Sequence, residues 1–329
     1  MAGIEVDSLS KSYRRGLAGE HVQALDGVTL AIAPGEVFGI IGPNGAGKTT
    51  FLGCLLGFLR PDRGRVTIDG HAPDDLAVRR VTGYLPERLV LDRWMTGLDF
   101  LAFHHALAGL PAASRHAEAE AGLAKVGLEG EAGERPIGKY SRGMLQRLGL
   151  AQALLGNPRF VFLDEPASGV DPAGVVLFRR LLADLKGRDV TVVLNSHQLD
   201  QVERLCDRVA FVKGGRVEAV ETMAAGAAAA RILRVRWAAS DAAPPSAELL
   251  RSAAAEAAVQ LLGADRLGAR FAVADDPAAA RVLQRLVTAG VPVIEAMPEE
   301  GRLERLFLDA DLPAPVVPDR IAEPNQGRS

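Results

Sequence analysis

"IIGPNGAGKTT", residues 40 to 50, constrains this chain more than any other stretch. It sets three glycines, a lysine and two threonines directly behind an apolar run. Residues 42–49 fit G-x-x-x-x-G-K-[ST], with an apolar strand before them and the helix-spaced "TTFLGCLLGFL" after. Glycines there let successive backbone N–H groups face an anion beside a helix N-terminus, where partial positive charge collects. A turn that only capped a helix would account for Gly42, Gly45 and Gly47 but not for Lys48. The expected ligand is the phosphate tail of a nucleotide. Gly42, Pro43, Asn44, Gly45, Ala46 and Gly47 form its cradle, and Lys48 reaches the β- and γ-phosphates. The Thr49 hydroxyl is placed for Mg²⁺, and Thr50 for the neighbouring phosphate oxygens.

The flanking pattern says what carries that loop. "IEVDSLSKSY" and "VQALDGVTLAIAPGEVFGII" alternate apolar and polar residues and break at Pro34-Gly35, which predicts hairpin-connected strands. "RFVFLDEP" and "DVTVVLNSH" are continuous apolar runs that end in polar residues. Such runs suit buried parallel strands, whose carboxyl ends collect ligands. Neighbours inside a strand point apart, but at its terminus Asp164 and Glu165 can both reach one site at the sheet edge. Asp164 suits a Mg²⁺ held through water, and Glu165 suits polarising an attacking water. Between about Arg88 and Lys139 the pattern is mainly helical, with "LDFLAFHHALAGL" the clearest segment.

In this order the motifs resemble the ATP-binding subunit of an ABC transporter, over roughly residues 1–221. "YSRGMLQRL" stands upstream of the Asp-Glu pair, where that family carries its signature helix. "SGVD" matches its D-loop, with Asp171, and "NSH" its switch histidine, here His197. Tyr13 sits where the family stacks an aromatic ring on adenine, and "GYLPE" occupies the Q-loop position. A single phosphate loop leaves the γ-phosphate open on one side. Ser141 and the Gly143 N–H, at a helix start, offer a second set of anion donors. The resemblance implies that these donors come from a second subunit, so that two ATP molecules lie between two head-to-tail chains linked through Asp171. It also implies MgATP hydrolysis that drives transport through a separate membrane-spanning permease, with a homodimer or a paralogous ATPase subunit as the active pair. Two positions depart from the family pattern. Arg142 replaces the first glycine of the signature, and Glu87 replaces the Q-loop glutamine, though its carboxylate can still meet Mg²⁺. Both variants resemble an exporter-like subset.

Composition narrows the alternatives. The 329 residues carry a net charge of -3, so a global basic field for nucleic acid is absent. A DNA-repair ATPase of this type would need a long coiled-coil insertion between the motifs, and a translation ATPase would need two cassettes. A GTPase would carry Asn-Lys-x-Asp, which the chain lacks. Cys54 and Cys206 have no metal-type spacing and read as reduced core thiols. "MAGIEVDSLSKSYRR" does not read as a signal peptide, and no stretch reaches the roughly 20 apolar residues of a membrane span. The expected location is peripheral, on the cytoplasmic face of the cell membrane.

The expected fold is an α/β P-loop ABC-type ATPase with an antiparallel β region and a helical subdomain, plus a small α+β C-terminal domain. Its expected boundaries are 1–221 for the ATPase, with the helical subdomain at about 88–158, and 222–231 for an alanine-rich linker. Residues 232–312 would form the accessory domain, and 313–329 a disordered Pro-rich tail. In the accessory region "ILRVRW", "RFAVA" and "VPVIEAM" read as strands, with helices at about 247–262 and 277–289 and an amphipathic "GRLERLFLDA" at the end. Trp94 and the apolar helix after Glu87 either line a groove for the membrane subunit or belong to a helical core. His21, His71, His104, His105 and His116 read as surface or helix residues without a site role.

Overall fold

The computed structural model describes residues 3–15, 20–89, 91–166, 168, 170, 172–196, 199–223, 231–238 and 245–298. Asp171, His197, the "GRLERLFLDA" segment and the Pro-rich tail lie outside these residues.

The chain opens with two long antiparallel strands, β1 (Ile4–Arg15) and β2 (Glu20–Ile32), with Ile4 opposite Ile32 and Tyr13 opposite Val22. Pro34-Gly35 then carries the chain to a different sheet instead of a second hairpin. β3 (Val37–Ile41) runs there into the glycine loop and α1 (Lys48–Leu55). β4 (Arg63–Ile68) returns to the free edge of β1, giving the order β2-β1-β4. The short α2 (Leu76–Arg79) and β5 (Thr82–Leu85) lead into the predicted helical stretch. It contains α3 (Gly97–Leu107), α4 (Arg115–Lys125) and the single turn α5 (Glu131–Glu134), followed by α6 (Arg142–Ala153). Then come β6 (Phe160–Asp164), α7 (Pro172–Gly187), β7 (Thr191–Asn195), α8 (Leu199–Leu205), β8 (Arg208–Lys213) and β9 (Arg216–Thr222).

β5-β6-β7-β3-β8-β9 form one sheet, parallel except for β9. Every residue of β3, β6 and β7 is buried. The reason is visible in the alternation of side chains. Phe38, Ile40, Phe160, Phe162 and Val193 pack on one side with α1 and the β1-β2-β4 sheet. Val37, Ile41, Val161, Leu163, Val192 and Leu194 pack on the other, against helical residues such as Leu148, Phe178 and Leu182. A strand with helices or a sheet on both faces has no polar face to show, which is why these runs read as unbroken hydrophobics. Cys54 and Cys206 are both buried, and burial raises both thiol pKa values, as expected of inert core residues.

The C-terminal residues build a separate sheet. β10 (Arg231–Trp237), α9 (Ala247–Glu256), β11 (Gln260–Ala264), β12 (Gly268–Val273), α10 (Asp276–Thr288) and β13 (Val293–Pro298) follow one another. The four strands pair in the order β11-β12-β10-β13, all antiparallel. Leu233, Val235, Trp237, Phe271 and Val273 pack under Leu250, Ala254, Val282 and Leu286 of the two helices.

One expectation needs correction. The helix anticipated over 247–262 ends at Glu256, and residues 260–264 form β11. Ala258 takes a left-handed φ of 56°, while its N–H donates to Ala255 O (3.1 Å) and the Val259 N–H to Ala254 O (2.9 Å). Those two bonds close the helix as a glycine C-cap does, but with alanine in the glycine's place, so the sequence carries no stop signal.

Candidate nucleotide site

Strand register brings the candidate residues to one edge. In the parallel sheet Ile40 of β3 and Asp164 of β6 both pair with Asn195 of β7. The glycine loop, Asp164-Glu165 and Asn195-Ser196 therefore emerge side by side at the carboxyl ends of adjacent strands. β5 pairs next to β6, with Leu85 level with Leu163, so Glu87 leaves the sheet two residues beyond that level.

The loop is anchored below and open above. Ala46 is buried in the core, and its carbonyl accepts from the Gly215 N–H at 2.9 Å. Gly47 caps α1 at φ 103°, and a Cβ there would stand 2.2 Å from Ala24 O, so no other residue fits. Gly45, at φ 81°, has open space above it. Lys48 Nζ folds back to donate to Gly42 O (2.8 Å) and Pro43 O (3.1 Å). Burial lowers the Lys48 pKa, and the charges of Glu165 and Asp164 oppose that shift. Thr49 is exposed on the first turn of α1, whose N–H groups have no intrahelical acceptor. Tyr13 is 41% exposed, so it is not a core residue, and its hydroxyl donates to Thr50 Oγ1 at 3.4 Å.

Asp164 is buried, and its Oδ1 accepts from Asn195 Nδ2 at 2.6 Å. Burial raises its pKa. The Asn195 bond works against that rise, and the neighbouring charges of Glu87 and Glu165 add to it. Glu165 sits in a left-handed conformation, φ 49°, which costs a non-glycine residue about 1 kcal/mol. Three bonds hold it there: its N–H donates to Asn195 O (2.9 Å), and its carbonyl accepts from the Ser168 N–H (3.1 Å) and Gln146 Nε2 (3.3 Å).

The donor set fits a hydrated Mg²⁺. Among the described residues Asn195 Oδ1, buried beside Asp164, has no hydrogen-bond partner, an orphan acceptor that a metal-bound water would satisfy. Among the described residues no three His, Cys, Asp or Glu side chains could hold an ion by themselves. Mg²⁺ is typically bound by one or two protein ligands plus phosphates and water, so the two observations agree.

The family of this fold follows from comparison. Residues 25–168 match the family profile described as ABC transporter. An uncharacterized ABC transporter ATP-binding protein of Nostoc sp. is 40% identical over 216 residues, 65% of this chain and 64% of that protein. The corresponding Synechocystis protein is also 40% identical and is covered over 61% of its length, so the chain spans less than two thirds of either. The uncharacterized ABC transporter ATP-binding protein YxlF of Bacillus subtilis is 40% identical and is covered over 69% of its length. The chain belongs to the ABC transporter ATP-binding proteins. Among solved structures it is similar to a dimeric ATP-binding cassette in a post-hydrolysis state bound to ADP and Pi. The TM-score is 0.62 and the identity 27%, covering 67% of this chain and 99% of that one.

In this ABC cassette Ser141 is the N-cap of α6, its Oγ accepting from the Met144 N–H at 3.2 Å. Gly143 is nearly unobstructed, with Val170 Cα 4.0 Å from a notional Cβ. Arg142 does not simply project into solvent: its Nη2 donates to Ser168 Oγ at 2.9 Å. The hydrogen bonds of Ser141 and Arg142 thus go to Met144 and Ser168, not to the phosphate loop of the same chain. Sequence reasoning missed three residues here, Asn195, Gln146 and Ser168. Asn195 had a legible signal, a polar residue closing an otherwise apolar buried strand. Gln146 had a weaker one, a buried amide on the signature helix.

Proposed function

We propose that this ABC cassette hydrolyses MgATP at an interface between two chains and couples the cycle to transport through a separate membrane permease. The observation that carries the reading is the convergence of the phosphate loop, Lys48, Asp164 and Glu165 at the carboxyl ends of β3 and β6.

In the reaction water attacks the γ-phosphorus, the bond from phosphorus to the β,γ-bridging oxygen breaks, and ADP and phosphate leave. Glu165 accepts the hydrogen bond of the attacking water and takes its proton as the new P–O bond forms. Lys48 and the N–H groups of residues 42–50 stabilise charge on the phosphate oxygens. Lys48 must first leave the carbonyls of Gly42 and Pro43, which hold it near the ligand's position. Mg²⁺, when bound, neutralises phosphate charge, held by Thr49 and Asp164 with Glu87 alongside. Tyr13, exposed beside Thr50, stacks on the base. Ser141, Arg142 and Gly143 of a second chain close the γ-phosphate side, Asp171 links the two sites and His197 contacts the γ-phosphate.

The domain division follows the same reading: residues 1–221 work as the ATPase, 222–231 as linker and 232–312 as accessory unit. Among the described residues no helix is long and apolar enough to cross a membrane; the permease of this reading is a separate chain. Trp94 is 77% exposed, with Phe103 and Leu107 also exposed on α3, which favours the docking reading of this region over the core one. The export direction rests on the Arg142 and Glu87 variants. It is supported by 38% identity over 221 residues to the daunorubicin resistance ATP-binding protein DrrA3 of Streptomyces coeruleorubidus. The site of action is then the cytoplasmic membrane face.

Glu165→Gln tests the reading. Turnover should fall by about 10²–10⁴-fold with ATP binding kept, and the protein should elute as a dimer only with ATP. A loss of less than about threefold removes Glu165 as the base.

A further inference from the structure

The backbone of Glu165 is held from two directions. Glu165 follows directly on β6 with a left-handed φ of 49°, a conformation that glycine adopts freely and glutamate does not. Where its carboxylate points depends on that backbone, because a return to the extended conformation would send the side chain to another face. From the neighbouring strand, Asn195 O accepts the Glu165 N–H. From outside the sheet, the Glu165 carbonyl accepts from the Ser168 N–H (3.1 Å) and from Gln146 Nε2 of α6 (3.3 Å).

Gln146 and Arg142 stand four residues apart on α6 and so share one face of that helix. This face spans the whole turn after β6. Gln146 meets the Glu165 carbonyl at one end, and Arg142 Nη2 donates to Ser168 Oγ (2.9 Å) at the other. The Ser168 N–H closes residues 165–168 on themselves by its bond to Glu165 O. Gln146 is also the only polar side chain among the buried residues of α6, whose others are Leu148, Gly149, Leu150, Ala151 and Ala153. A buried amide costs stability unless it is bonded, so packing alone would favour leucine or methionine there. What the amide adds is the bond to Glu165.

We infer that Gln146, backed by the Arg142–Ser168 bond, is a positioning residue that aims the Glu165 carboxylate at the attacking water. This role rests on the reading of Glu165 as the general base. It gives α6 two tasks: its start, at Ser141 and Gly143, faces a second chain's ATP in that reading, and its inner face holds the base of its own chain. Gln146 acts through Glu165 and does not touch the nucleotide, so its loss should slow the chemical step and leave ATP affinity alone.

The test is a double-mutant cycle between Gln146→Met and Glu165→Gln, read by single-turnover hydrolysis in the full chain. Methionine fills the amide's space without donating a hydrogen bond. Alone, Gln146→Met should slow hydrolysis about ten- to a hundredfold, the scale of a misplaced catalytic group. The dissociation constant for ATP and the ATP-dependent dimer should match the wild type. In the Glu165→Gln background the same change should cost nothing further, because no base is left to aim. Ser168→Ala removes only the outer bond and should give a smaller loss with the same non-additivity. If Gln146→Met does not fold, Ser168→Ala decides alone. The positioning role is overturned if either change multiplies the loss of Glu165→Gln, if ATP affinity falls in step with the rate, or if neither change slows hydrolysis. Wild-type turnover in Glu165→Gln is a separate failure, which removes the base itself and this role with it.

Discussion

The two larger sheets use the same strand chemistry to opposite ends. In the cassette, β3, β6 and β7 are buried on both faces, and apart from Thr191 at the start of β7 polarity appears where the strands stop, at Asp164, Glu165, Asn195 and Ser196. In the C-terminal sheet one face is covered by α9 and α10, and among the described residues the other carries the exposed Arg234, Arg236 and Arg270. A doubly covered sheet can offer a ligand only its edge, so its site is small, fixed by register and built from backbone loops. A singly covered sheet offers a whole face, and its specificity must come from side chains.

If the two cores are independent, Phe162→Ala and Phe271→Ala should each cost about 3–5 kcal/mol, because both rings are fully buried. The effects should fall in different places. Phe162→Ala should lower nucleotide affinity together with stability, whereas Phe271→Ala should melt the accessory unit and leave nucleotide affinity unchanged. Differential scanning calorimetry with and without ATP distinguishes them, and a loss of ATP binding in Phe271→Ala would break the comparison.

A smaller effect tests the edge itself. Asn195→Ala removes the 2.6 Å bond that orients Asp164 and the orphan Oδ1 beside it. The Mg²⁺ concentration needed for tight ATP binding should rise about tenfold, the usual scale for removing a metal ligand's orienting partner. Affinity for metal-free ATP should not move. Equal shifts with and without Mg²⁺ would mean that Asn195 only supports the strand.

Glu87 sharpens the same contrast on the partner's side. Its charge already acts on Asp164, yet the side chain is exposed. Glu87→Gln should keep most ATPase activity. Glu87→Ala should lose permease stimulation by several-fold while ATP affinity holds, a coupling of about 0.5–2 kcal/mol. Unchanged stimulation in the alanine protein marks Glu87 as a surface acid.

The smallest expected effect concerns the antiparallel region. Asp62 accepts from Lys11 Nζ (2.9 Å), the Ser12 N–H (2.7 Å) and Ser12 Oγ (2.8 Å), and the Lys11 bond leads in lowering its pKa to about 2. A depressed folded pKa stabilises above the ordinary value of 3.8 and loses that contribution as pH falls towards about 2. Asp62→Asn should flatten this part of the acid denaturation curve. A curve identical to that of the wild type removes Asp62 from the account.

What was legible in the sequence was contiguous. The phosphate loop is eight adjacent residues, and the buried strands are runs of five, so short-range pattern was enough to name them and place their order. Signals failed where a bond joins distant positions or where a residue does another's work. Arg142 meets Ser168, and Gln146 meets the carbonyl of Glu165, because α6 lies against the end of β6. Ala258 ends a helix with no glycine to announce it.

The sequence by itself determined the fold class, the loop that faces phosphate and the pair of carboxylates, because each is written in local spacing and hydrophobic burial. Only the tertiary structure decided which residues share the site. Parallel register set Asn195 against Asp164, and antiparallel register set Arg234 against Arg270. Strand pairing joins residues far apart in the chain, and a shift of one residue turns every side chain to the other face. That choice is made by the packing of whole layers, which no short stretch of sequence contains.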